Sequence, residues 1–462
     1  MSYMYDVLVI GAGPGGYVAA IRASQLGLKA AVVEKDKVGG VCLNKGCIPS
    51  KALIHMAGLY GSAVSELSSI GVSVDTSGFD YKKVFDYSRK VAMRLNKGVE
   101  YLLKKNKVDV ITGSAVFSDA HTVDVDGKSY TADKIIIATG SSPVLIPGFE
   151  PDGKKVFSSD DAIMSDSLPE TMLILGAGAI GMEFAYIMSS FGVKVTVVEM
   201  LDRVLPFTDS EVSAHVVKEL GKRGVEFMTS TRALSLDCSG EGVVLSVESS
   251  EGKKELSAER LLVSVGRRPN TSGLGLDKIG VELDEKGFVR VGDYYKTSCD
   301  SVYAIGDVIS SPLLAHVASK EGEIAVSHIA GKAHEKLLAA DEIPYAVYCE
   351  PQVAGFGLTT DEAKRQGISA SSVVFPFRGV GKAVAISDVE GFVKLVFDDD
   401  TSEILGAHIV GPDATELVHE LLLAKKSELL LSDVAEMVHA HPTLSEAVME
   451  AARMAEGWAI HF

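Results

Sequence analysis

The chain has 462 residues and a formal net charge of -17, with 62 acidic against 45 basic side chains. That balance argues against a nucleic-acid backbone or an anionic membrane as partner, and no apolar run is long enough to span a bilayer. The length exceeds what one core can organise and predicts roughly three or four domains, and the 47% hydrophobic content predicts an ordered globular protein.

In chain order, the first strand-like run is Val7 to Ile10, within DVLVIGAG. It begins too early to leave room for a signal or transit peptide, which predicts a cytoplasmic protein. The glycine motif Gly11-Ala-Gly13-Pro-Gly-Gly16 comes next, then a helix-like stretch from Tyr17 to Leu26 and a second strand, Lys29 to Val33, ending in Glu34. This is a dinucleotide-binding arrangement. Glycines allow a tight turn and close approach of a pyrophosphate at a helix N-terminus, while the acid accepts from a ribose hydroxyl.

Directly afterwards stands GGVCLNKGCIPSK (39–51). The chain's five cysteines (42, 47, 238, 299 and 349) are too few and too scattered for a secreted disulfide framework. In a reducing compartment a close pair is a redox or a metal device, and no further Cys or His pair with zinc-ligand spacing supports metal. On a regular helix, Cα atoms five positions apart lie about 7.5 Å apart along the axis, beyond the roughly 7 Å reach of a disulfide. A bridge would need an irregular backbone, which Gly46 permits. Pro49 suits the first turn of a helix running through SKALIHMAGLY, which would put Cys47 near a helix N-terminus, where the dipole favours thiolate.

The nucleotide signal then repeats. Met172 to Leu175 leads into Gly176-Ala-Gly178-Ala-Ile-Gly181, a helix through Ser190, and a strand from Lys194 to Val198 ending in Glu199. Glu199 lies at the same offset from its first glycine as Glu34. One GxGxxG is weak evidence; two copies in register predict two dinucleotide-binding domains. Glu199 would repel a 2′-phosphate and no arginine cluster follows it, so NAD is favoured over NADP, with Arg203 read as a surface residue. Two such domains and a cysteine pair suggest electron traffic between a nicotinamide, a second dinucleotide such as FAD, and a disulfide.

Taken together, these segments resemble the flavoprotein disulfide reductases, and within them most closely the enzymes that oxidise dihydrolipoamide. The resemblance is carried by GGVCLNKGCIPSK, IIIATGSSP (135–143), ILGAGAIGMEFA (174–185), VGRRPN (265–270), YAIGDV (303–308), LLAH (313–316) and HAHPTLSEA (439–447), and it spans essentially the whole chain. It implies an α/β protein with two Rossmann-like domains, for FAD and NAD, and an α+β C-terminal dimerisation domain. Expected boundaries are 1–143 for the FAD domain, completed by about 270–342, then 148–268 for the NAD domain and 343–462 for the interface domain. That last domain should comprise a strand-rich stretch through FVKLVFDD and ILGAHIVG, then helices from Thr415 onward.

The resemblance also implies roles. Cys42 and Cys47 form a redox disulfide, with Cys42 meeting the dithiol substrate and Cys47 facing the flavin. Lys51 and Glu183 form a pair beside the flavin ring. Further FAD contacts fall on Glu34, Ala115, Thr139, Gly140, Asp307, Leu313, Leu314, Ala315 and His316, and the nicotinamide nucleotide site includes Glu199, Ala233 and Gly266. His441 is the base and Glu446 its orienting partner, with a cis bond possible before Pro442. The alternative HxH metal pair, His439 with His441, lacks an indicated third ligand.

Dimerisation would let His441 of one chain meet the cysteines of another, and the expected partners are a lipoyl-bearing acyltransferase of 2-oxoacid dehydrogenase complexes or a glycine-cleavage lipoyl protein. A glutathione-type reductase is disfavoured by Glu199, a mercuric-reductase type by the thiol-free C-terminus EGWAIHF, and a purely structural subunit by the full redox set. Three departures from the family pattern stand out. Val41 replaces threonine, Lys45 replaces valine, and Cys349 replaces threonine in CEPQVAGFG. Lys45 is expected to ease thiolate formation provided its amine points inward.

Overall fold

The run YDVLVI forms strand β1 (Tyr5–Ile10), whose Val7, Leu8 and Val9 are wholly buried, as a strand covered on both faces requires. Helix α1 (Pro14–Gln25) starts inside the glycine motif, ahead of the Tyr17 predicted from sequence. Gly13 is its N-cap and Pro14 its first residue, where a missing N–H breaks no helical bond. Strand β2 (Ala30–Glu34) pairs with β1 in parallel, Val9 opposite Val32. The computed structural model describes residues 3–65 and 67–462.

Helices α2 (Gly40–Lys45), α3 (Cys47–Ser65) and α4 (Tyr81–Lys105) follow, then β3 (Asp109–Thr112), β4 (Ala115–Asp119), β5 (Thr122–Val125) and β6 (Lys128–Ile137). Strand β6 serves two pairings: its first half runs antiparallel to β5, and its second half runs parallel to β1. After β7 (Ser141–Pro143) the pattern restarts with β8 (Val156–Phe157), α5 (Ser159–Ala162), β9 (Thr171–Leu175), α6 (Ala179–Ser190), β10 (Lys194–Val198), α7 (Ser210–Lys222) and β11 (Glu226–Met228). An antiparallel annex of β12 (Arg232–Asp237), β13 (Val243–Ser249) and β14 (Gly252–Ala258) precedes β15 (Arg260–Val263).

Strands β11-β10-β9-β15-β8 form the second parallel sheet. Strand β16 (Arg267–Pro269) then pairs antiparallel with β7, so the chain leaves and re-enters the first unit through one two-stranded ribbon. Strand β17 (Val302–Ala304) returns beside β6, which completes a parallel sheet ordered β3-β2-β1-β6-β17. Helix α8 (Ala315–Ile329) packs on α1, with Gly322 facing Gly15 closely enough that a Cβ would sit 2.9 Å from Gly15 O.

The remainder is a five-stranded antiparallel sheet under helices. It contains β18 (Tyr345–Val347), β19 (Gln352–Gly357), α9 (Thr360–Arg365), β20 (Ala370–Pro376), α10 (Gly381–Ala385), β21 (Phe392–Asp398), β22 (Ile404–Gly411), α11 (Ala414–Lys426), α12 (Leu431–Glu436) and α13 (Glu446–Ala455). The strand order is β18-β19-β22-β21-β20. Short α10 interrupts the stretch expected to be strand-rich, because GVGKAV offers no period-two alternation to present to a sheet. Leu421 of α11 and Val448 and Ala451 of α13 share one buried core with Phe356 and Ile409 of the sheet. No helix among the described residues is long and apolar enough to cross a membrane.

One buried ion pair joins the second sheet unit to the last. Lys394 of β21 pairs with Asp209 at 2.9 Å with both side chains almost fully out of water, and donates to Glu211 at 3.2 Å. Asp209 also caps α7 by accepting from the Glu211 amide. Lys394→Ala should strand a buried carboxylate and cost about 3–5 kcal/mol, read as a lower midpoint in chemical denaturation.

Candidate active site

Cys42 lies within α2 and Cys47 is the first residue of α3, with Gly46 as the joint between the helices. That break brings the two Cα atoms to 4.7 Å, and the sulfurs form a disulfide. Gly46 is crowded: a Cβ there would sit 3.1 Å from Val41 O. Pro49 occupies the first turn of α3, and the Ser50 amide donates to Gly46 O at 3.0 Å. From behind, α4 holds α2 in place. Arg89 donates to Asn44 O at 2.9 Å and Asn96 to Val38 O at 2.6 Å. The Lys45 amine lies 3.9 Å from Asp36 and partly in water, so its charge is shared with that carboxylate and the solvent.

One turn into α3, Lys51 Nζ donates to both oxygens of Glu183 on α6, at 2.9 and 3.0 Å. Glu183 is buried and also accepts the Tyr348 amide at 3.2 Å, and the Lys51 amine lies 4.4 Å from the centre of the Tyr348 ring. The neighbouring Cys349 is fully buried, so burial pushes its thiol well above the usual range. Cys349 therefore lies in the seam beside this pair, behind Tyr348.

The two glycine loops share one construction. Gly11 and Gly176 have φ of 102° and 100°, and a Cβ on either would strike the neighbouring strand end, at Ala138 or Ser264. A Cβ on Gly16 would collide with Gly11 O, and one on Gly181 with Gly176 O. Gly13 and Gly178 face open space at the caps of α1 and α6. Glu34 accepts from the Ala12 amide at 2.8 Å and from Asp36 at 2.9 Å. Glu199 repeats this with Ala177 at 2.7 Å and Leu201 at 2.8 Å. Open glycine caps at helix N-termini, each with an acid at the next strand end, fit two dinucleotides.

Other expected contacts gather at the first loop. The Gly113 amide donates to Glu34 O, which brings the segment leading to Ala115 alongside the acid. Thr139 Oγ1 donates to Asn270 O at 2.7 Å, Gly140 O accepts the Asn270 amide at 2.9 Å, and Ser141 Oγ donates to Asp307 at 2.6 Å. Leu314 caps α8 after Leu313, Ala315 begins it, and His316 contacts Pro344 O at 2.7 Å. Because α8 packs on α1, two helix N-termini converge beside the Gly13 opening. At the second loop, the Thr231 amide donates to Glu199 O, placing the start of β12 and Ala233 beside that acid. Gly266 has φ 122° and accepts the Val144 amide.

At the far end of the chain, His441 Nδ1 contacts Glu446 Oε1 at 3.0 Å, and the Thr443 amide donates to Glu446 Oε2 at 2.9 Å. Burial alone would raise the Glu446 carboxyl, but the Thr443 amide and His441 hold it below its ordinary value. The His441–Pro442 peptide is cis. The His441 side chain is 74% exposed. His439 instead turns to Glu420 at 2.7 Å, and the two histidines with different partners do not form a metal pair.

Several residues that shape the site were not singled out from sequence. Arg267 donates to Ser141 Oγ and Ser141 O at 2.7 and 2.8 Å, beside Asp307. Arg203, expected on the surface, has a buried Nε with no hydrogen bond, because the turn after Glu199 folds back with Leu205 donating to Ala177 O. Glu321 of α8 is 1% exposed and accepts the Gly306 amide at 2.6 Å. Burial pushes its carboxyl up to about 7.

Comparison with known proteins places this geometry. Residues 5–322 match the pyridine nucleotide-disulphide oxidoreductase model and residues 343–452 the dimerisation domain of the same family. The chain is 45% identical to a dihydrolipoyl dehydrogenase of Mycobacterium bovis, covering 99% of each chain. It is 43% identical to one of Bacillus subtilis, covering 100% of each. The crystal structure of LpdA from Mycobacterium tuberculosis superposes with a TM-score of 0.90 at 28% identity, over 97% of this chain and 99% of that one.

Glu321 makes a pH prediction with a definite sign. A carboxyl raised from 4.5 to about 7 in the fold stabilises fully below pH 4.5, and that contribution is lost as pH rises to 7. Against Glu321→Gln, which stays neutral and keeps the acceptor, the parent should lose roughly 3 kcal/mol across that interval. Paired thermal melts at pH 5 and pH 7.5 read the difference.

Proposed function

The chain belongs to the pyridine nucleotide-disulphide oxidoreductase family, and from that premise we propose that it oxidises protein-bound dihydrolipoamide and reduces NAD⁺. The observation that carries this reading is the Cys42–Cys47 bridge at the start of α3, one turn from the Lys51–Glu183 pair that ties the two nucleotide units together. FAD at the first loop and NAD at the second fit the open glycine caps. When bound, FAD supplies an acceptor for the dithiol's electron pair and a donor of hydride to the nicotinamide.

The chain's own residues handle sulfur and protons. A substrate thiol gives its proton to His441 of the partner subunit, and the resulting thiolate attacks the Cys42 sulfur. The Cys42–Cys47 bond breaks, and Cys47 leaves as a thiolate at the helix N-terminus, where the dipole favours the negative charge. The second substrate thiol attacks the substrate sulfur joined to Cys42, and its proton passes to the departing Cys42 sulfur. That step closes the lipoyl disulfide and releases Cys42 with both electrons left on the enzyme's cysteines. With Nδ1–H donated to Glu446, the His441 Nε2 lone pair faces solvent, ready for the transfer. Lys51, fixed by two bonds to Glu183, would place a positive charge beside the flavin ring.

Exposure of His441 in the single chain, and a C-terminal region matching the family's dimerisation domain, support a homodimer in which each active site takes its base from the other copy. The lipoyl group comes from a separate carrier, an acyltransferase core or a glycine-cleavage lipoyl protein, in the cytoplasm. Glu199 beside the second loop supports NAD⁺ over NADP⁺, and with it oxidation of dihydrolipoamide over NADPH-driven reduction of glutathione disulfide.

Cys47→Ser should lower dihydrolipoamide turnover by at least roughly 10³-fold while the protein keeps its flavin colour. Full turnover in that variant would overturn the scheme. Glu446→Gln should cost about 10²-fold or more in turnover, with flavin content unchanged and the acid limb of the pH–rate profile displaced. An unaltered profile would remove Glu446 from the proton transfer.

A further inference from the structure

We propose that His215, Glu219 and Glu390 form a zinc-binding site that ties the second nucleotide unit to the C-terminal domain. His215 and Glu219 stand one turn apart on the same face of α7, and Glu390 comes from the loop entering β21. One ring nitrogen and one oxygen from each carboxylate lie within 4.8 Å of one another. Donors around tetrahedral zinc, each at about 2.1 Å from the metal, stand roughly 3.4 Å apart. The cluster therefore has at most about 1.4 Å to close, and Glu390, 48% exposed, is held only by surface amines.

A second observation points to a ligand. His215 Nε2 is shut away from water and has no hydrogen bond, while Glu219 Oε1, equally shut away, has only the Lys218 amine 3.5 Å from it. Buried polar atoms normally find partners, and an unpartnered imidazole nitrogen beside two carboxylates marks a place where an ion belongs. The His215 ring is held edge-on against Phe392, with centroids 5.8 Å apart, so its direction is fixed by packing.

The charges facing the site are Lys218 and Lys222. Lys222 lies 2.8 Å from Glu219 and 3.4 Å from Glu390, and Lys218 lies 3.5 and 3.6 Å from the same two groups. Both amines are more than half exposed, and surface pairs of this kind contribute little. A single divalent ion balances the two carboxylates as the two amines do, and additionally satisfies the imidazole. An imidazole in the set selects zinc over magnesium or calcium, which prefer all-oxygen ligands.

The test uses the disulfide-intact holoenzyme, so that Cys42 and Cys47 cannot compete as thiolates. After chelator treatment, titration with zinc chloride should show one ion per chain and a rise in Tm of roughly 2 °C or more. His215→Ala and Glu390→Gln should each weaken binding at least roughly tenfold. Glu390 is on the surface, so its variant tests the site even where His215→Ala fails to fold. No zinc uptake by the parent, or undiminished affinity in Glu390→Gln, would overturn the proposal.

Discussion

The Lys51–Glu183 pair is the interaction on which the arrangement of the molecule turns. Glu183 is buried, and a buried carboxylate is tolerated only when charge and hydrogen bonds compensate its lost hydration. Here the compensation comes from two other parts of the chain: the amine of α3, and the Tyr348 amide of the C-terminal segment. Satisfying one carboxylate therefore registers three units against one another. The same helix that brings Lys51 to Glu183 begins with Cys47, so the placement of the sulfur follows from the placement of the charge.

The two nucleotide loops are alike in their glycines and differ where the fold differs. At the position of Gly15 in the first loop, the second loop has Ile180. Helix α8 crosses the first loop so closely that a Cβ on Gly15 would lie 2.9 Å from Ala318 O, while Ile180 meets no such constraint. The first loop thus gains a second helix N-terminus and the Asp307 turn, and the second keeps only α6. Two converging helix N-termini offer more amide donors and more positive dipole to a pyrophosphate than one does.

What could be read from sequence follows from how local each constraint is. Glycine loops, terminal acids and the helix break at Gly46 are set by neighbours along the chain, and the motifs announced them. The roles of Lys51, Glu183, His441 and Glu446 needed a family resemblance, since nothing in spacing brings residue 51 to residue 183. Glu321, Arg267 and Asn270 stayed illegible. Glu321 reads as one more helical acid until α8 is laid over the Gly306 turn. The directions of Lys45 and Arg203 stayed open for the same reason. Their direction depends on Asp36 and on a folded-back turn, which no pattern of residue types reveals.

The His441–Glu446 pair differs from the rest in being complete and yet exposed. Glu446 has both oxygens engaged and is held ionised, so it serves as a fixed negative partner for a ring that is itself mostly in water. A base in that setting is oriented but not enclosed, and thiol chemistry gains from enclosure because water screens the charges that form. In the proposed reaction the missing wall would come from outside the chain. A second copy would supply it with the least new structure, since a two-fold axis that brings one His441 to the partner's cysteines brings the other with it.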